Sequence, residues 1–284
     1  MLMIKEFAPA KINLFLDIIS KRPDGYHDLG TLFQTVAVGD ELSVEEEKTS
    51  RITVRYNVPQ AYPLEEDLVY RAALLLQKAF DVKCGASFYL EKKMPLGAGL
   101  GGGSADAAAA LRLLNRLWSL NLSPEELEKF GAKLGADVPF LVRGGSALAE
   151  GIGDVLTHLE PLELPDGAAL LIATPKCSVP TKAAYAGASP SGNSRWEIFR
   201  RSDFRDYRNF AFNKFEETVL PQFPQISRMK HLLENAGAEF ALMSGSGASV
   251  FGVFGKKSQA EKAVRLVEAE ARFVAVTRFF PGFF

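Results

Sequence analysis

The chain has 284 residues and a net charge of −1, from 33 Lys and Arg against 34 Asp and Glu, a length that suits one large domain or two ordinary ones. So even a balance leaves no electrostatic footprint for nucleic acid or an anionic membrane surface, and no run approaches the roughly 20 apolar residues of a membrane helix. The opening "MLMIKEFAPAKINLFLDI" is broken by Lys5, Glu6 and Lys11 and reads as neither a signal nor a transit peptide, while Cys84 and Cys177 lack metal or redox spacing and read as buried free thiols of a reducing, cytoplasmic compartment.

The first ninety residues read mostly as strand: "AKINLFLDIIS", "TLFQTVAVGDELSVEEE" and "RITVRYNV" are rich in β-branched and aromatic residues. Between the first two lies "RPDGYH", with turn chemistry at Pro23, Asp24 and Gly25. Asp40, in "VGDEL", reads as a turn acid. Helical spacing of Leu68, Ala72, Leu75 and Leu76 predicts a helix over 67–80. "ASFYLEKK" is a strand running into "PLGAGLGGGS", and a helix is predicted from Ser104 to Trp118 with Ala107, Leu111, Leu114 and Trp118 as its apolar stripe. Ser123, Pro124 and Glu126 make the N-cap, first turn and capping box of the next helix.

"GADVPFLVRGGSALAEGIGDVL" reads as a loop leading into strands. Prolines cluster at Pro161–Gly167 and place a domain boundary there, dividing the chain into 1–160 and 161–284. A strand over 168–174, helices, strands flanking "SGSGAS", a helix from Lys257 to about Arg272 and a last strand "FVAVTRF" follow. The class is α+β, with the later helices on one face of a sheet. Gly187 to Arg195, "GASPSGNSR", is the expected mobile loop.

Five of the seven residues from Gly97 to Gly103 are glycine, and a helix follows at once. Glycine lets backbone amides approach a ligand closely, and a helix start offers unpaired N–H groups with partial positive charge. Together they make an anion site of the kind phosphate occupies. A plain turn, with Ser104 and Asp106 as caps, would need only one or two glycines. Gly97, Gly99 and Gly102 satisfy G-x-G-x-x-G, but not after a first strand near the N-terminus, and the P-loop and protein-kinase signatures are absent. The loop therefore holds phosphate in another architecture.

"PLGAGLGGGSADAA", with "PAKINLFL" before it and "LMSGSGASVFG" after it, resembles the GHMP small-molecule kinases. "KRPDGYHDL", "LGADVPF" and "GGSALAEGIGD" point, within that family, to the members acting on a cytidine-diphosphate-linked methylerythritol. The resemblance implies a two-domain fold, a mixed α/β N-terminal domain and a ferredoxin-like C-terminal one. It also implies ATP-dependent phosphorylation of the substrate's 2-hydroxyl, a step of non-mevalonate isoprenoid synthesis. Another acceptor of the family (homoserine, mevalonate or a sugar) and a non-catalytic nucleotide sensor stay open. The implied partner is the small molecule, with no nucleic acid or membrane, and the chain is expected as a monomer or weak homodimer.

Phosphoryl transfer to an alcohol requires a held triphosphate, offset charge and an aligned hydroxyl. On residues alone Lys11 fits a solvated strand lysine, and Asp137 fits a turn or capping acid as well as a functional one. The resemblance makes Lys11 the catalytic lysine and Asp137 the general base. It assigns Pro95, Gly97, Ala98, Gly99, Leu100, Gly101, Gly102, Gly103 and Ser104 to the ATP phosphates, and Asn13 to the reacting alcohol. Tyr26 and Tyr185 would sandwich the cytosine, and His27 would bond its edge. Gly245, Ser246 and Gly247 would close over the site. His158 and His231 have no ligand spacing and read as surface or packing residues. Three features depart from the family pattern: Ala105 replaces a second serine, Asp67 stands at an adenine-side amide, and no acidic magnesium ligand is evident. Magnesium is therefore expected on the ATP phosphates.

Overall fold

The computed structural model describes residues 3–60, 62–192 and 194–284. Two sheets share one interior. The first is built from β1 (Ile4–Lys21), β2 (His27–Glu47), β3 (Ile52–Tyr56), β4 (Gly85–Glu91), β5 (Ser146–Glu150), β6 (Val155–Leu159) and β8 (Phe212–Asn213). Its main order is β3-β4-β2-β1-β8, with β5 pairing both β2 and β6. β1 and β2 are antiparallel along nearly their whole length, and Lys11 lies opposite Thr35. The second sheet is antiparallel, in the order β11 (Ala271–Thr277), β7 (Ala169–Pro175), β10 (Val250–Phe254), β9 (Phe240–Met243).

The pleat sorts side chains into layers. In β7, Leu170 and Ile172 join Ala10, Ile12 and Leu14 of β1 in a core between the sheets. Ala169, Leu171 and Ala173 face the opposite way. There they meet buried residues of α9 (Pro224–Asn235) and α10 (Lys257–Val267). The same alternation turns Lys11 and Asn13 away from the inter-sheet core.

Four helices cover the first sheet: α1 (Leu68–Ala79), α2 (Gly102–Leu117), α3 (Pro124–Gly131) and α4 (Val138–Arg143). Ala105 and Ala107–Ala110 of α2 are all buried, and side chains this small let its axis approach β1 and β2 closely. Asp67 caps α1 by accepting from Tyr70 N at 2.9 Å, and α3 carries the expected capping box, with Pro124 at its start.

Several expectations shift. α2 starts two residues early, at Gly102, with Gly101 at its N-cap and no side-chain cap, so Ser104 and Asp106 do not cap it. The expected loop after Gly135 contains α4. The last helix ends at Val267 rather than near Arg272, because Ala271 begins β11. The cysteines are half-buried, not buried. Of the expected mobile loop, Asn193 lies outside the described residues; Gly187 ends α5 (Thr181–Gly187) and Arg195 lies in α6 (Ser194–Phe199). α7 (Tyr207–Phe210) and α8 (Glu216–Gln222) flank β8. No helix among the described residues is long and apolar enough to cross a membrane.

Candidate active site

The glycine loop is stitched to its surroundings by its carbonyls. Leu100 O accepts from Lys11 N at 2.9 Å, and Ala98 O from Ser249 N at 3.1 Å. Gly99 O accepts from the Ser244 hydroxyl at 2.9 Å, and Leu96 O from Arg272 at 3.1 Å. A trans peptide points its C=O and the next N–H in opposite directions. The amides of Gly97, Gly99, Leu100 and Gly101 are thereby aimed away from these anchors. Ala105 N makes the bond to Gly101 O, so the N–H groups of Gly102, Gly103 and Ser104 precede the first intrahelical bond and stay free for an anion.

Two glycines have specific reasons. Gly99 has φ +75°, and a Cβ there would lie 2.2 Å from Ser244 O. Gly101 has φ +68°, and its Cβ would sit 3.0 Å from Lys11 Cγ. The loop is thus pressed between the second sheet's loop and the stem of Lys11.

All nine residues assigned to the phosphates line one cavity of about 420 Å³, together with Lys11, Asn13, Asp137, Tyr185, Gly245 and Ser246, a size that holds a small-molecule ligand. Lys11 is buried, and its Nζ lies 3.6 Å from Asp137 Oδ2. The Asp137 side chain makes no capping bond to α4, which leaves its carboxylate toward the ammonium. Lys11 Nζ donates to Asn13 Oδ1 at 3.0 Å, Asn13 Nδ2 to Thr31 Oγ1 at 2.8 Å, and Thr31 Oγ1 to Phe15 O at 2.6 Å. That relay fixes which way the Asn13 amide faces and holds the ammonium by both neighbours.

At the far side Tyr185 packs edge-on against Phe215, with ring centroids 4.8 Å apart, and lies 5.2 Å from the His27 ring. Burial first, then Asp137, pushes the Tyr185 phenol above its ordinary range. Burial, reinforced by Lys21, lowers the pKa of His27 and favours the neutral imidazole. Tyr26 is 61% exposed. Tyr26, His27 and Gly247 are not among the residues lining this cavity; His27 reaches its rim through Tyr185.

Other residues escaped the sequence reading. Asp40 is no turn acid: it is fully buried and accepts from Lys92 Nζ at 2.6 Å and Met94 N at 2.8 Å. Lys92 also donates to Asp106 at 2.7 Å, so one buried ammonium sits between two buried carboxylates under the start of α2. Burial lowers the pKa of Lys92, and Asp106 and Asp40 outweigh it to leave a net rise. Asp106 has fewer donors than Asp40, and burial raises its pKa against the opposing pull of Lys92. Asn213 donates to Met243 O at 2.6 Å and Gly245 O at 2.8 Å, holding "SGSGAS" beside the glycine loop. Asp67 is occupied by its cap and by the hydroxyls of Tyr56 and Tyr62. His158 pairs with Glu128 and His231 with Glu234, as structural residues would.

Comparison with known proteins matches residues 67–145 to the family of GHMP kinases N terminal domains and 189–271 to that of GHMP kinases C terminal domains. A 4-diphosphocytidyl-2-C-methyl-D-erythritol kinase of Exiguobacterium sibiricum is 41% identical over 263 residues, 90% of each chain. The protein of the same name from Lachnoclostridium phytofermentans is 40% identical, over 90% of this chain and 89% of that one. A crystal structure of 4-(cytidine 5'-diphospho)-2C-methyl-D-erythritol kinase superposes with TM-score 0.79 at 32% identity, covering 97% of this chain and 99% of the other. A homoserine kinase from Cytophaga hutchinsonii gives 0.75 at 20% identity, over 99% and 95%, and shares the fold alone.

Proposed function

The chain belongs to the GHMP kinases, in the family of 4-diphosphocytidyl-2-C-methyl-D-erythritol kinases, and from that premise we propose how its cavity phosphorylates the substrate's 2-hydroxyl. The reaction consumes ATP and serves non-mevalonate isoprenoid precursor synthesis. The substrate oxygen attacks the γ-phosphorus, the bond to the β–γ bridging oxygen breaks, and ADP leaves. The amides of Gly97–Ser104 hold the triphosphate. Lys11 offsets charge on the phosphoryl group and the incoming oxygen, and Asp137 orients the hydroxyl and takes its proton. Asn13 sits where it can hold the acceptor against Lys11.

Among the described residues no group of three or more His, Cys, Asp or Glu side chains could cage a metal. Magnesium would fit here on ATP oxygens and water, lending charge neutralisation to the phosphates.

The observation that carries the reading is the shared cavity: stitched amides, the 3.6 Å Lys11–Asp137 pair beside them, and a half-buried aromatic, Tyr185, all lining it. Tyr185 and Tyr26 would hold the cytosine, with Tyr26 swinging in from its exposed position and neutral His27 bonding the base edge. Gly245, Ser246 and Gly247 would close over the acceptor. We place the division between units near residue 160 and expect a cytoplasmic monomer or weak homodimer with no nucleic-acid or membrane partner. The other family acceptors are disfavoured, since the three relatives named above at 32–41% identity share one substrate name. Turnover with the cytidylated acceptor and with its uncytidylated counterpart tests the reading. Base stacking worth about 1–3 kcal/mol predicts a preference of roughly 5- to 150-fold; equal kcat/KM for both would remove the cytidine site.

A further inference from the structure

The segment after β11 leaves the second sheet and crosses onto the first. Ala37 N donates to Arg278 O at 2.8 Å, and Phe280 N to Thr35 O at 2.9 Å. Phe280 O in turn accepts from Thr35 Oγ1 at 2.9 Å and Gln34 Nε2 at 3.2 Å. Thr35 is the residue paired with Lys11 across β1 and β2, so the segment clasps the strand position beside Lys11.

Its far end reaches the other half of the pair. Phe283 N donates to Arg143 O at 2.9 Å, at the end of α4, the helix that begins beside Asp137. The Phe283 ring lies 3.7 Å from the Arg112 guanidinium carbon. Arg112, buried in α2, donates to Leu141 O at 2.7 Å and Val142 O at 2.9 Å, and pairs with Glu6 of β1. A single side chain thus ties the helix of the glycine loop, the helix of Asp137 and the strand of Lys11. The Phe283 ring covers it, a cation–π contact largely shielded from solvent. None of residues 278–284 lines the cavity.

We propose that the segment 278–284 is a positioning strap for phosphoryl transfer: through Thr35 beside Lys11, and through Arg112 and α4, which follows Asp137, it sets the separation of the two reacting side chains. The strap contributes to turnover rather than to nucleotide binding, because none of its residues lines the cavity and its anchors are Gln34, Thr35 and Ala37 of β2, Arg143 at the end of α4, and Arg112, well along α2 from the loop amides. This rests on the phosphoryl-transfer reading of the cavity.

The test compares the full chain with one ending at Phe279, and with Phe283→Ala and Phe283→Tyr, by steady-state kinetics and thermal melting. A displacement of about 1 Å far from the chemistry can cost about 100-fold in rate. The expected result is a ten- to hundredfold fall in kcat for the shortened chain and a smaller fall for Phe283→Ala. KM for ATP should stay within twofold, and Phe283→Tyr should restore kcat. Should the shortened chain fail to fold, the two Phe283 variants decide. Unchanged kcat, or a loss of kcat that tracks only the folded fraction, would overturn the strap. Absence of turnover in the full chain would instead strike the reading on which it rests.

Discussion

Replacing Gly99 with alanine tests the glycine loop where its geometry is tightest. The added Cβ would sit 2.2 Å from Ser244 O, a backbone atom, and 2.9 Å from Gly247 O. Since Cβ contacts below 3.0 Å are not tolerated, the two loops must part by about 0.8 Å. The backbone at φ +75° adds a left-handed cost of about 1–2 kcal/mol, and overpacking adds about 1–3 kcal/mol more. A loss of that size leaves a domain of ordinary stability folded, with a loop displaced by almost 1 Å. Misplacement on that scale costs about 100-fold in rate. Gly97→Ala is the control: φ is +60°, but nothing lies within 4 Å of its Cβ. It should lose about 1–2 kcal/mol of stability without forcing the two loops apart, so its fall in rate should be smaller than that of Gly99→Ala. Steady-state kinetics in ATP, with thermal melts of both variants, make the comparison. If Gly99→Ala matched wild type in kcat and in KM for ATP, the pressed loop would not be the phosphate cradle.

Three further outcomes are expected. Asp137→Asn, nearly isosteric, should cut kcat by about 10²- to 10⁴-fold, the range of general-base catalysis, while a fluorescent ATP analogue binds as before; near-normal kcat would reassign the base. Tyr185→Ala should raise KM for the cytidylated acceptor by a factor corresponding to about 1–3 kcal/mol and leave KM for ATP unchanged, as read by varying each substrate in turn. Burial raises the Asp106 carboxyl above the ordinary range of an aspartate, against Lys92 and with Asp40, so folding takes up a proton there. The stability this proton confers is fully present below the unfolded pKa and is lost as pH rises through the raised folded one. In denaturant titrations from about pH 4 to 9, wild type should lose stability relative to Asp106→Asn; a flat or rising difference would mean the carboxyl is not raised.

What could be read in advance divides along physical lines. The glycine loop, the Ser123 capping box and the alternation that sets Lys11 and Asn13 together on one strand face are local patterns of composition and period, and each stands where those patterns put it; that this face is buried is not such a pattern. The start of α2 is not legible because Gly102 and Gly103 are poor helix formers, whereas Gly101 turns the chain into the helix by its left-handed φ alone. Helix α4 was missed since six residues after a Gly-Ala-Asp stretch carry too little periodicity to register. The Asp40–Lys92–Asp106 cluster joins residues from β2, the end of β4 and α2, and nothing local marks a buried charge whose partners come from other elements. Asn213 and the strap at 278–284 are of the same kind, defined by backbone carbonyls that only the folded chain brings within reach. Asp137 is singled out by resemblance alone; its freedom from a capping bond is visible only in the fold.

The most direct measurement is phosphorus NMR on the purified chain mixed with ATP, magnesium and 4-diphosphocytidyl-2-C-methyl-D-erythritol. The account predicts ADP and a new phosphomonoester at the 2-position in equal amounts, with the cytidine diphosphate resonances retained. ATP and acceptor resonances that persist unchanged, or ADP appearing with inorganic phosphate and no new ester, would contradict it.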